Sequence, residues 1–302
     1  MDSPHHILKW PNESAKAVNQ QDRWSHAGSN LCLDFHGDPV KAELVVFSDG
    51  NHHMALEESL SSFAQTQSLN DIFYATTPPG VLVQLMKRGQ IHLGNLTLSR
   101  QPDIFIGPQN ILEQLKTDAY VQNIQHFMRS RCNVLLVADD NPKNINSIAD
   151  ILRDDVKLFI SNPETEKASY QVYAETLYSL AKEQGLDAEE FTALLSSPAG
   201  KVVYGECIHH RELPQSIAAG RSDVAMVYYH LALRYTRIFP GQFKIIPLGG
   251  DEKNPQPTPA HHITDYYVGM VNPDNPLTDK LIEHLLSQQV TDIYTEHGLI
   301  RP

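Results

Sequence analysis

The sequence predicts an α/β protein of two lobes, the second inserted into the first, behind an irregular N-terminal arm. Two observations carry that expectation. From Leu31 onward, short apolar runs alternate with longer amphipathic segments, the rhythm of strand, helix and strand in succession. Strands of the same kind also lie on both sides of an uninterrupted middle block, so the chain is expected to leave one sheet, build another and return. The expected division is 1–30 for the arm, 31–137 with 244–302 for a discontinuous first lobe, and 138–243 for the inserted one.

Each element has its own signal. Apolar runs bounded by Gly, Pro, Asn, Asp or Ser predict strands over 44–48, 71–75, 103–107, 133–138, 157–161, 201–204, 223–227, 243–247 and 266–271. Helical spacing predicts helices over 54–63, 80–88, 146–152, 170–183, 211–219, 277–287 and 291–297. The stretch 249–259 is too rich in Gly and Pro for an element interior and is expected to be a loop.

Composition removes several classes of function. The 302 residues carry 24 Lys and Arg against 36 Asp and Glu, a net charge of −12, with no basic cluster; nucleic acid and anionic membrane surfaces are poor partners for such a chain. No run of about 18 apolar residues calls for a membrane span. No secretory leader is visible at the N-terminus, so the chain reads as cytoplasmic if full-length or as an exported protein already trimmed. Cys32, Cys132 and Cys207 are far apart and show no C-x-x-C spacing; they read as small apolar residues.

The turn after the first strong strand is the richest in chemistry. Val45-Val46-Phe47 runs into Ser48-Asp49-Gly50-Asn51-His52-His53, which opens a helix. A strand, turn and helix joined this way leave the first N–H groups of the helix pointing at whatever lies beyond the strand end, an arrangement suited to an anion. Asp49, His52 and His53 also offer carboxylate and imidazole to a divalent metal, with Glu206, His230 and His36 as further candidates. Fifteen histidines keep the metal reading open, but neither H-E-x-x-H nor a cysteine pair supports it, and most histidines in such a chain are structural. Catalysis is not expected: there is no nucleophile elbow, P-loop or dinucleotide fingerprint, and Cys207 with His209 is not spaced as nucleophile and base.

Six strings, in order over about 43–300, give a further indication. They are VFSDGNHHMALEE (46–58), PDIFI (102–106), NVLLVADDNPKNI (133–145), NPE followed by Ser169-Tyr170 (162–170), AGRSDVAMVYY (219–229) and IYTEHGL (293–299). Together they resemble the type II periplasmic solute-binding proteins, especially the molybdate- and tungstate-binding group. The resemblance implies a periplasmic-binding-protein-like fold with a ligand cleft between lobes. It further implies a non-catalytic monomer that binds a small inorganic oxyanion without a cofactor and serves an ABC-transporter membrane component, outside the cytoplasm.

On that resemblance, Ser48, Asp49, Gly50, Asn51, Thr76 and Thr77 contribute from the first lobe, and Asn162, Glu164, Tyr228 and Tyr229 from the second. The chain departs from the group at the site itself. The usual first loop is small and hydroxyl-bearing, whereas here it is Asp-Gly-Asn-His-His, and the second is Thr76-Thr77-Pro78-Pro79-Gly80 instead of Ser-Ser-Gly. Asp49, Asp139, Glu164 and Glu206 all fall at expected strand ends, where an uncompensated carboxylate repels an anion. Simpler readings stand beside these: Thr76 and Thr77 as an extended segment before proline, and Asn162-Pro163-Glu164 as turn chemistry. One of Tyr228 and Tyr229 is expected in the core, because successive strand residues face opposite ways. A divalent metal ligand, or a cytosolic ligand sensor on the same fold, are the alternatives.

Overall fold

A computed structural model of the chain describes residues 34–93, 96–196, 200–206 and 208–302. The expected arm, Cys32 and Cys207 lie outside the described residues. Contacts divide the described chain into two compact units, one of residues 34–129 with 265–302 and one of residues 130–264.

The first pass through the discontinuous unit carries β1 (Phe35–His36), β2 (Leu44–Ser48), α1 (His53–Gln67), β3 (Ile72–Ala75), α2 (Pro79–Arg88), the hairpin β4 (Ile91–Leu93) and β5 (Leu96–Leu98), β6 (Ile104–Pro108), α3 (Gln109–Thr117) and β7 (Gln122–Ser130). The inserted unit carries β8 (Asn133–Ala138), β9 (Leu158–Ile160), α4 (Lys167–Glu183), α5 (Ala188–Ser196), β10 (Val202–Tyr204), α6 (His209–Ala218), β11 (Val224–Tyr228), α7 (Tyr229–Ile238) and β12 (Phe243–Pro247). The return adds β13 (Asp265–Met270), α8 (Pro276–Leu285), α9 (Gln288–Glu296) and β14 (Leu299–Ile300).

The discontinuous unit is a seven-stranded mixed sheet in the order β1-β3-β2-β6-β13-β7-β14. Its central strands are apolar on both faces because both are covered. Leu44 and Val46 join α1, α8 and α9 in one core, while Val45 and Phe47 join α2 and α3 in another, as the two-residue period of a strand requires. The inserted unit is a five-stranded sheet in the order β10-β9-β11-β8-β12. It is longer at both ends than the expected 138–243. The reason is that β8 pairs antiparallel with β11 and β12, so all three belong to one sheet.

The other differences have physical causes. The expected helix over 146–152 is a 3-10 turn, Ile148–Leu152, closed by a reciprocal Ser147 and Asp150 cap. β7 gives no strand signal because most of its residues keep contact with solvent, and its pairing with β13 is interrupted by two register shifts. α7 begins at Tyr229 directly after β11, so a single apolar run hides two elements. No helix among the described residues is long and apolar enough to cross a membrane. Cys132 is buried and unpaired, and burial pushes its thiol up to about 12, far from any thiolate chemistry.

Candidate ligand site

β2 and β3 are parallel neighbours, so the two loops that follow them leave the sheet side by side at its carboxyl end. They touch closely. A Cβ on Gly50 would sit 2.2 Å from the carbonyl oxygen of Thr76, so only glycine lets the first loop rest against the second. Asp49 caps the turn Gly50–His52 ahead of α1, its Oδ1 accepting the Asn51 N–H at 2.8 Å. Thr77 stands just before the Pro-Pro-Gly start of α2.

Most polar groups of these loops are satisfied internally. Ser48 is fully buried and donates its hydroxyl proton to the Asp49 carbonyl at 3.1 Å. His52 Nε2–H therefore donates to Ser48 Oγ at 3.3 Å, and Nδ1 accepts from the Tyr294 hydroxyl at 2.9 Å. The ring lies among Phe127, Tyr266 and Tyr294, and burial pushes its pKa down to about 3. Thr76 gives its N–H to the Asp34 carbonyl and its hydroxyl contacts His36 Nε2 at 3.2 Å.

Three groups stand apart. The Gly50 N–H, the Thr77 N–H and the Thr77 hydroxyl find no hydrogen-bond partner among the described residues, although Thr77 is only 3 % exposed. The side chain of Asn51 is half-buried beside them and makes no hydrogen bond to a described residue either. One unit thus brings together two backbone donors, a hydroxyl and an amide at two adjoining helix starts, where the peptide dipoles favour negative charge. Asp49 opposes this. It is 5 % exposed, and burial pushes its carboxyl up to about 6 against the lowering effect of the Asn51 N–H.

The expected contributors from the inserted unit are placed differently. Asn162 accepts the Glu164 N–H on its Oδ1 at 2.9 Å, a turn closed on itself, and Glu164 is exposed. Tyr228 and Tyr229 are both buried: Tyr228 bonds Thr264 at 2.8 Å, and Tyr229 packs its ring against the Arg131 guanidinium. The alternation of strand faces does not extend to Tyr229, because it opens a helix directly after β11. Asp139 is exposed at the end of β8. A carboxylate that the sequence reading passed over is central here: Glu166 accepts the His209 N–H at 2.8 Å, while Glu212 accepts those of Ile208 at 2.7 Å and Glu206 at 2.8 Å. The start of α6 is therefore occupied by side chains of its own unit. Its only sequence signal is an acid in the first turn of α6.

The candidate metal ligands are not assembled. His52 has both ring nitrogens engaged, His53 donates Nδ1–H to the Gly50 carbonyl at 2.9 Å, and His36 stacks on Tyr74. His230 is buried against the Tyr228 ring, and Glu206 is exposed in the other unit. No group of three His, Cys, Asp or Glu among the described residues is placed to hold a metal ion.

Comparison with known proteins agrees with this architecture. No protein of curated function matches the chain by sequence. Among solved structures, the substrate-binding domain ascribed to a molybdenum ABC transporter from Clostridium difficile superposes with a TM-score of 0.59 at 18% identity, over 86% of this chain and 98% of its own. The Azotobacter vinelandii periplasmic molybdate-binding protein gives 0.59 at 13%, over 86% and 99%. L-phospholactate-bound PEB3, a Campylobacter jejuni protein, gives 0.60 at 13%, over 86% and 100%. At such identities the likeness carries the two-lobed fold and nothing finer. A family model for bacterial extracellular solute-binding proteins matches residues 44–300, and the chain belongs to that family.

Proposed function

We propose that the protein is a non-catalytic binder of a small tetrahedral oxyanion, with molybdate and tungstate as the first candidates, and that it delivers this ligand to an ABC transporter. The observation that carries the reading is the set of donors without partners at the ends of β2 and β3: Gly50 N–H, Thr77 N–H and the Thr77 hydroxyl. Donors that the fold leaves without a partner at two adjoining helix starts are open to an acceptor from outside the chain. Fixed N–H dipoles can replace the hydration shell of an oxyanion without lysine or arginine. The fold shared with proteins described as molybdate-binding supports the same reading.

A nucleophilic role for Ser48 next to His52 has no support. The hydroxyl is fully buried and its proton is spent on the Asp49 carbonyl. A thermal-shift panel tests the proposal, because a ligand that prefers the folded state raises its apparent stability. Molybdate, tungstate, sulfate or phosphate should raise the melting temperature, while zinc, nickel and copper should not. Stabilisation by a divalent metal with indifference to every oxyanion would refute it.

A further inference from the structure

Serine and histidine side chains meet three times among the described residues, and in one of the three the proton is placed differently. Ser48 and Ser62 each donate their hydroxyl proton to a backbone carbonyl, that of Asp49 at 3.1 Å and that of Ser59 at 2.9 Å. Their histidines therefore act as donors to them. His284 Nε2 also reaches the Ser59 carbonyl at 3.1 Å, which fixes the hydrogen on that nitrogen. Ser179 differs from both. It lies inside α4, where Thr176 gives its hydroxyl to the Val172 carbonyl one turn back, yet its own hydroxyl meets His262 Nε2 at 3.2 Å and no other described residue. Glu175, one turn earlier on the same face of α4, places Oε2 3.0 Å from His262 Nδ1. A carboxylate there favours the hydrogen on Nδ1, so Nε2 accepts the Ser179 proton. The imidazole is held through its own backbone: His262 N–H donates to Thr176 Oγ1 at 3.1 Å, and its carbonyl accepts from Asn133 Nδ2 at 3.0 Å. Thr176 and Asn133 are fully buried, whereas the side chains of Glu175 and His262 are 54% and 42% exposed, so the group is anchored from below and open to solution.

We propose that Ser179 is a nucleophile that accepts an acyl group from activated esters, with His262 as its base and Glu175 as a positioning residue. Ser179 Oγ adds to the ester carbonyl carbon as its proton passes to His262 Nε2. The bond from that carbon to the leaving oxygen then breaks, and the leaving alcohol takes the proton from Nε2. The chain keeps the acyl group as an ester on Ser179, and nothing is oxidised or reduced. The backbone N–H groups around Ser179 are spent within α4, so no preset donor meets the oxyanion of the addition step. Substrates are thereby limited to esters whose leaving group departs readily, such as aryl esters, and the product is a modified chain. The site belongs to the inserted unit and is independent of the oxyanion reading.

The experiment treats the full chain with para-nitrophenyl acetate at pH 7.5, follows nitrophenol release, and locates the acetyl group by peptide mass spectrometry. Ser179 should be acetylated at least about tenfold faster than Ser62, a half-buried helical serine that also touches a histidine and serves as the internal control. His262→Gln should slow acetylation of Ser179 about 100-fold, the lower end of what a general base contributes. Ser179→Ala should abolish the rapid release. Glu175→Gln should slow it as well, and the nitrogen NMR shifts of the His262 ring should show its hydrogen moving from Nδ1 towards Nε2, which loss of a merely structural carboxylate would not produce. Ser179 acetylated no faster than Ser62, or equally fast in His262→Gln, would overturn the inference. The first of these results is read on the wild-type chain and does not depend on any variant folding.

Discussion

Acid should unfold this protein through His52, and one substitution isolates the effect. The ring is buried among three aromatic side chains and its pKa is pushed down to about 3, against about 6.5 when exposed. A depressed folded pKa contributes stability that is complete above about pH 6.5 and is lost as pH falls towards 3. Between pH 7 and pH 4 the unfolded chain takes up nearly a full proton at this site and the folded chain almost none, a loss of about 3 kcal/mol at 1.36 kcal/mol per unit. His209, also lowered to about 3 by burial, adds a second loss of the same kind. His52→Leu removes only the first. Urea denaturation at pH 7 should show the variant destabilised by roughly 1–3 kcal/mol, because the Tyr294 hydroxyl is left without its acceptor. Repeated at pH 4, it should show that the variant has lost about 3 kcal/mol less than the wild type over the same interval. Equal losses would mean that His52 is hydrated or charged in the folded protein, and the account of its environment would be wrong.

Gly50→Ala should lower the melting temperature and weaken oxyanion binding together, since its Cβ would meet the Thr76 carbonyl at 2.2 Å; overpacking of this kind costs roughly 1–3 kcal/mol. Thr77→Val keeps the shape and removes a hydroxyl that has no internal partner, so stability should hold while calorimetry shows affinity falling about 10- to 100-fold, the worth of a hydrogen bond to a charged group. Glu166 has its pKa pushed up to about 7, chiefly by burial. A raised acid makes the folded state bind more protons than the unfolded one, so stability is lost as pH rises from about 4.5 to 7. Glu166→Gln, measured by urea denaturation at pH 5 and pH 8, should therefore lose less stability than the wild type on going to the higher pH.

The sheets were legible wherever burial left a continuous apolar run. β2, β8 and β12 fall on the expected 44–48, 133–138 and 243–247, because each has neighbours on both sides or a core beneath it. β7 was not, since Gln122, Asn123 and Gln125 face solvent and report nothing of their pairing. The ends of the inserted unit have no local signal for a related reason: the antiparallel pairing of β11 with β8 is set at long range, which no local pattern records.

At the site, sequence could locate the turn after β2 but could not tell which of its polar groups are spent. Ser48, His52 and Thr76 look as available on paper as Thr77, yet their hydrogen bonds reach Asp49, Tyr294 and Asp34 within the fold. Glu166 was invisible as a cap because its partner, His209, is 43 positions away. What separates a binding group from a structural one here is whether the fold has already given it a partner.

The most direct measurement is a crystal of the protein grown with tungstate near pH 5.5, with the tungsten located by its anomalous scattering. The account predicts a peak whose oxygens lie about 2.7–3.2 Å from Gly50 N, Thr77 N and Thr77 Oγ1. A peak held elsewhere, or an occupied site whose contacts leave those three donors untouched, would contradict it.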